Sequence, residues 1–414
     1  MKQIRLLSCL LVVLLASACG SSSPSYAPVY REPATIKPEQ PEVAMHHAYR
    51  ATPDSVHFFF RFEDLRQLLD LQQSAVRLDY IIRSGATERD ALLVRDTVQV
   101  TAAHKATTDG SLHVPVSLPA QYIAAGNVLQ VRLWLRLAGQ ERLGTSHKMA
   151  LSPRMLQKDF LLLQARNGSP VFQGFATTSD QLVLQRDSTS QSLAVRVLKA
   201  PQQPALPPMS TKQETPAEQV QVTDTLRLSS SDTLQLTQEG LYLFGADTTA
   251  QTGLLVQEGS FPLVTRVQDL ITPLIYLTTS AEREALYNAK DPKAAVDAFW
   301  LRIAKDKNLA RDLIRTYYTR VEAANKLYTS YKPGWATDRG MIYIIYGKPN
   351  NISLSGDSET WIYRESEATA YVKFVFNKKD DTFTENHYEL VRNREYEENW
   401  YSTVAKWRAG ITNM

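Results

Sequence analysis

The sequence predicts a multidomain protein: two antiparallel β-sandwich-like domains, then an α+β domain whose helices precede a small antiparallel sheet. Three observations carry this. Apolar and polar residues alternate with period two in runs between residues 56 and 137, and shorter runs of the same kind continue to about residue 265. After Thr265 apolar residues recur at three and four, the helical spacing, and strand-like runs return only near the end. With 414 residues, 43% of them hydrophobic and 21% charged, the chain exceeds one core, and two or three folded domains are expected. The expected divisions are 1–18 (signal), 19–48 (tether), 49–152 and 153–267 (β domains) and 268–414 (α+β).

The first residues are MKQIRLLSCLLVVLLASACGSSS. Lys2 and Arg5 precede an apolar run, Leu6 to Leu15, that is too short to span a bilayer. Leu15-Ala16-Ser17-Ala18-Cys19 resembles the lipobox of bacterial lipoproteins, with Ala16 where leucine is more common. The resemblance implies cleavage before Cys19, acylation of its sulfur and new amino group, and attachment to a membrane through lipid. Each buried acyl CH₂ contributes about 0.8 kcal/mol, and more than one chain anchors stably. The alternative is an ordinary secretory signal cut nearby. Cys9 leaves with the signal, so no thiol remains for a disulfide, a zinc site or a nucleophile. No Asp follows Cys19 and the first acid is Glu32, which points to the outer membrane, facing the periplasm.

Residues 20 to 48 hold Pro24, Pro28, Pro33, Pro38 and Pro41 among small and polar residues, the composition of a semi-extended tether. Strands follow. Val56, Phe58, Phe60 and Phe62 alternate, as do Val76, Leu78, Tyr80 and Ile82. In Val128–Leu137 the residues Gln130, Arg132, Trp134 and Arg136 share one face. The second β region includes Gln181–Leu184, Leu193–Leu198, Thr225–Leu228, Thr233–Leu236 and Leu241–Phe244. The proline-rich stretch 201–219 interrupts it as a long loop or a boundary.

Thr279 and Glu282 have the spacing of a capping box for a helix through Asn288. Asp291-Pro292 starts a second helix. A third is expected from Leu309 to Tyr328, stopped by Lys332-Pro333-Gly334. Strands are expected over Met341–Tyr346, Thr360–Tyr363, Ala370–Phe376 and Phe383–Val391, with a hairpin loop at residues 377–381, and a helix over 394–407.

Gly334-Trp335-Ala336-Thr337-Asp338-Arg339-Gly340, followed by Ile342-Tyr343-Ile344-Ile345-Tyr346-Gly347-Lys348-Pro349, resembles the GWxTD domain of bacterial envelope proteins, notably those of the Bacteroidota. The likeness extends over about 270–400. Tyr328 to Pro333 and Trp361-Ile362-Tyr363 belong to it as well; Lys348 departs from the small or proline residue expected there. It implies a domain and no particular activity. Read from the residues, Gly334 and Gly340 provide either positive φ or close approach. Trp335 offers a large apolar area, Thr337 and Asp338 cap loop amides, and Arg339 pairs with Asp338 or with Glu359. These features describe a joint between the helical layer and the sheet. An interaction surface formed by Gly334, Trp335, Thr337, Asp338, Arg339 and Gly340 is the second reading. Catalysis is the third, since one acid beside one arginine lacks a nucleophile or second carboxylate.

No signature for a catalytic serine, a zinc protease, a phosphate loop or a dinucleotide is present, so neither an enzyme nor a cofactor is expected. The seven histidines include His46-His47 on the expected tether and His387 in an expected strand, and no metal site is read from them. A net charge of +3 without a basic cluster argues against nucleic acid. Aromatic residues crowd the last hundred positions, either as core or as an exposed platform for a glycan. The expected role is non-enzymatic binding or assembly in the cell envelope, accessory to an outer-membrane complex and a partner protein there. A glycan-binding module is the alternative, and an uncharacterised enzyme the third.

Overall fold

The computed structural model describes residues 43–64, 69–105, 107, 109–187, 192–211, 221–246, 251–355, 357–364, 371–379 and 383–411. The expected lipid site Cys19, the signal and most of the expected tether lie outside the described residues.

The first sandwich holds β1 (Val43–Ala51), β2 (Ser55–Asp64), a short helix α1 (Leu71–Ser74), β3 (Ala75–Arg83), β4 (Leu92–Gln99), β5 (Leu112–Pro119), β6 (Val128–Leu137) and β7 (Gln140–Ala150). Its sheets are ordered β1-β2-β5 and β4-β3-β6-β7, antiparallel throughout. The alternation has its physical reason here. Val56, Phe58, Phe60 and Phe62 on β2 face Leu129, Val131, Leu133 and Leu135 of β6 within one core, and their polar neighbours point away. Strand β1 begins inside the stretch expected as tether, so His46 and His47 lie on a strand.

The second sandwich holds β8 (Phe160–Gln164), β9 (Phe175–Thr177), β10 (Gln181–Arg186), β11 (Leu193–Leu198), β12 (Val222–Leu228), β13 (Thr233–Gln235), β14 (Gly240–Phe244) and β15 (Thr252–Gln257). Its sheets run β13-β10-β8 and β12-β11-β14-β15-β9. One pairing departs from the antiparallel expectation: β9 runs parallel to β15.

The third unit contains α2 (Val267–Ile271), α3 (Ser280–Tyr287), α4 (Pro292–Ala304), α5 (Lys307–Tyr328), α6 (Asp338–Tyr346), strands β16 (Asn351–Ser355), β17 (Ser358–Tyr363), β18 (Val372–Lys378) and β19 (Tyr388–Leu390), and α7 (Tyr396–Arg408). The strands form one antiparallel sheet in sequence order. Thr279 and Glu282 close the expected capping box on α3, and Asp291 accepts the Ala294 amide at the start of α4. Helix α5 buries Leu313, Tyr317, Val321, Ala324 and Tyr328 at three- and four-residue steps. Trp300, Tyr317 and Trp407 meet in this core with ring centroids 5.4 Å apart for each pair involving Tyr317. Among the described residues no helix is long and apolar enough to cross a membrane.

The main correction concerns Met341–Tyr346, expected as a strand and found as the body of helix α6. A short apolar run of aromatic and β-branched residues has the composition of a buried strand, and a helix enclosed all round gives no periodicity to contradict it. Met341, Ile342, Ile344, Ile345 and Tyr346 are all buried, on every side of α6. The return of the strands is also shifted: β16, unforeseen, precedes β17, and of the expected 383–391 strand Tyr388–Leu390 forms β19. Part of the expected hairpin loop at residues 377–381 lies outside the described residues.

The three units touch directly. Leu198, Leu241 and Leu243 on the second sandwich pack with Tyr331 and Phe383 of the third unit. Glu63 on β2 meets Lys326 on α5 at 3.1 Å. The Tyr49 hydroxyl donates to Glu385 at 2.5 Å. Arg50 reaches Asp187, joining the sandwiches.

Candidate functional site

The motif residues occupy the turn between α5 and α6 and the first turn of α6. Gly334, Trp335 and Ala336 form a single 3₁₀ turn, and Thr337 is the N-cap of α6. The Thr337 hydroxyl donates to the Gly334 carbonyl at 2.8 Å and accepts the Gly340 amide at 3.0 Å. One side chain thus ties the turn to the helix it starts. The Trp335 amide donates to Asn325 Oδ1 on α5 at 3.0 Å, and the Trp335 carbonyl accepts the Tyr276 hydroxyl at 2.9 Å. The Trp335 indole itself is half-buried.

Both glycines serve close approach, and neither has positive φ. A Cβ on Gly334 would stand 2.0 Å from the Ala324 carbonyl oxygen of α5. One on Gly340 would stand 1.8 Å from the Gly334 carbonyl oxygen. Helix α5, the 3₁₀ turn and α6 are therefore stacked backbone on backbone, with no room for a side chain.

The two charged residues point in different directions. Asp338, 3% exposed, accepts the Leu390 amide at 2.6 Å through Oδ2, and Arg392 grips both its oxygens, at 3.1 and 2.6 Å. It fastens α6 to the end of β19. Arg339, 7% exposed, donates to Glu359 on β17 at 3.1 Å and to the Asn386 carbonyl at 2.9 Å, and also bonds the Asn386 side chain. Its guanidinium lies 4.0 Å from the centre of the Tyr388 ring and 5.2 Å from that of Tyr328. Of the two expected partners of Arg339, the structure selects Glu359; Asp338 is held by Arg392 instead. Glu359 accepts the Trp361 indole N–H at 2.5 Å with its other oxygen. Asn386 extends the network to α5, donating to the Leu327 and Thr329 carbonyls at 3.2 and 2.9 Å.

The structure thus gathers Gly334, Thr337, Asp338, Arg339 and Gly340 into one buried junction and leaves Trp335 at its rim. Arg392, Asn386, Asn325 and Thr329 complete it. The first two lie about fifty residues downstream, with no local pattern linking them to the motif. The helical start of α6 did carry signals: Thr337 as N-cap, Asp338 in the first turn and Gly347 after the last residue. Against Ser330, Lys332, Asp338, Arg339 and Asn386 lies a cavity of about 10 Å³, the space of one water molecule and far below that of a substrate. A carboxylate held by a guanidinium and an amide, with no substrate-sized space beside it, is arranged to hold backbone in place.

A family model described as the GWxTD domain matches residues 240–409. No curated protein matches. Among solved structures, the crystal structure of Salmonella alpha-2-macroglobulin reacted with methylamine is 14% identical with a TM-score of 0.20. It aligns with 51% of this chain and 16% of its own length. A point mutant of the same protein is 15% identical at 0.19, with the same coverage. The chain spans only about a sixth of those proteins.

Proposed function

Taking as premise that this chain carries a GWxTD domain over residues 240–409, we propose that it is a lipid-anchored cell-envelope protein with a binding or assembly role and no catalysis of its own, accessory to an outer-membrane complex and facing the periplasm. The observation that carries the non-enzymatic reading is the state of the motif. Asp338 and Arg339 are buried, each ion-paired and bonded to backbone, and the adjoining cavity has room for one water. Such a junction makes the third unit rigid, and with the contacts that join the units it suits holding partners at fixed spacing. The anchoring part of the proposal rests on the lipobox resemblance at Cys19.

The glycan alternative has less support. Trp300, Trp361 and Trp407 are fully buried in the third core, and of the exposed tyrosines Tyr287 lies on α3, Tyr401 on α7 and Tyr371 just before β18. The test has two arms. Cys19→Ala should abolish labelling with a palmitate analogue and release the chain from washed membranes; a variant that stays bound and labelled refutes the anchor. In cross-linked, detergent-solubilised envelopes, the intact protein should retain a membrane protein in near-stoichiometric amount. A fusion of residues 1–48 to an unrelated reporter should not. Equal recovery with both refutes a binding role for the folded domains.

A further inference from the structure

The proline-rich stretch between β11 and β12 leaves the second sandwich and lies on the third unit. Its described part, residues 201–211, begins PQQPALPPMS. It has neither helix nor strand up to Pro207 and then turns, the Ser210 amide donating to the Pro207 carbonyl at 2.9 Å. Ala205 is buried at 5% exposure within the core of the third unit, Met209 packs against that core, and Pro208 is buried. Three carbonyls of this strap accept hydrogen bonds from the third unit. Lys332 Nζ donates to the Gln203 carbonyl at 3.4 Å, Arg392 Nη2 to the Leu206 carbonyl at 3.3 Å, and the Asn393 amide to the Pro208 carbonyl at 3.1 Å.

This is the chemistry by which grooves take proline-rich peptides. Proline has no N–H to offer, its chain is already extended, and so little conformational freedom is lost on docking. The main-chain carbonyls give affinity, and a few small or apolar side chains, here Ala205 and Met209, give specificity. The groove is held ready by the motif, because Asp338 grips the same Arg392 guanidinium that donates to the strap.

We propose that the face of the GWxTD domain presented by Lys332, Arg392 and Asn393 is a receptor for a proline-rich peptide, filled in this chain by its own residues 201–209 and open to a partner's segment of the same pattern when the strap leaves. This rests on the binding role proposed above and names the class of partner.

The test uses the full-length protein and a fluorescent peptide of residues 201–210, titrated by anisotropy. In one variant residues 203–209 are replaced by Gly-Ser of equal length; in a second, Ala205→Glu expels the strap. Tryptophan emission verifies the fold of each. A strap tethered in cis presents itself at about millimolar effective concentration. Both variants should therefore bind the peptide at least tenfold more tightly than wild type, and a peptide carrying the Ala205→Glu change should not bind. Folded variants that bind no better than wild type overturn the proposal, as does equal binding of the altered peptide. Failure here with a membrane partner still captured would refute the groove and leave the envelope role standing.

Discussion

Gly340→Ala should destabilise the third unit, although the same exchange in an ordinary helix stabilises it. Alanine is favoured over glycine in a helix interior by about 1 kcal/mol, and Gly340 is the third residue of α6. Its added Cβ would lie 1.8 Å from the Gly334 carbonyl oxygen and 3.1 Å from Thr337 Oγ1. Relief to at least 3.0 Å requires the first turn of α6 to retreat from the 3₁₀ turn by more than an ångström. Gly334 cannot yield in turn, because it already abuts the Ala324 carbonyl. The retreat breaks both hydrogen bonds of Thr337, each worth about 1 kcal/mol net. Overpacking adds roughly 1–3 kcal/mol. Against the propensity gain, the balance is a loss of about 3 kcal/mol. Urea unfolding followed by tryptophan emission reads the right unit, since Trp300, Trp335, Trp361, Trp400 and Trp407 are five of the six tryptophans. A midpoint at or above that of wild type would refute the stacked-backbone account.

Three further outcomes are expected. Asp338→Asn leaves the Arg392 guanidinium partly buried opposite a neutral amide, and should cost about 3 kcal/mol or more in the same assay; a loss below 1 kcal/mol would mean the pair is dispensable. Burial holds His47 down to about 4 from its ordinary 6.5, with Glu385 opposing and Lys158, Lys378 and His46 assisting. Its neutral form therefore belongs to the folded state: the stability it contributes is present above pH 6.5 and drains away toward pH 4, by up to about 3 kcal/mol. His47→Gln should flatten stability across that window, and an unchanged slope between pH 6.5 and 4 rejects the assignment. Arg408, bonded to Glu282 at 3.0 and 2.9 Å, is the main cause holding that carboxyl near 2, and the Thr279 capping bonds add to it. The resulting stability is present above about pH 4.5 and lost as pH falls through 2. It amounts to at most about 2 kcal/mol, because solvent screens the pair. Arg408→Gln should remove most of this acid step, which calorimetry between pH 5 and 2 would detect.

What could be read in advance follows from where the information lies along the chain. Alternation on β2, β3 and β6 was legible because each strand has one wet face, and caps at Thr279 and Asp291 act within three residues. Helix α6 was not legible as a helix, because burial on all sides erased its period and its residue types favour a strand. The parallel pairing of β9 with β15 joins residues about eighty apart, and nothing local specifies it. The sequence offers a joint through the motif's glycines, its cap residue and Arg339, with Arg339's partner open between Asp338 and Glu359 and an interaction surface as the second reading. Its other half, Asn386 between β18 and β19 and Arg392 just after β19, lies about fifty residues downstream and was invisible for the same reason. The prolines of 201–219 mark a long loop or a boundary. That residues 203–209 dock depends on Ala205 fitting a core built by residues far downstream.

The sheet order of the second sandwich sets a timetable for folding. Strand β11 has β14 as a neighbour, and β9 has only β15, so the five-stranded sheet cannot close until residue 257 has been made. Contacts this distant in sequence are slow to find. The strap waits longer still: its Leu206 carbonyl is met by Arg392, 186 residues later. A chain halted before Arg392 could complete both sandwiches and would still carry an unfastened proline-rich loop. Docking of that loop marks the arrival of the final strand, and a protease that cuts exposed proline-rich segments would distinguish finished molecules from unfinished ones.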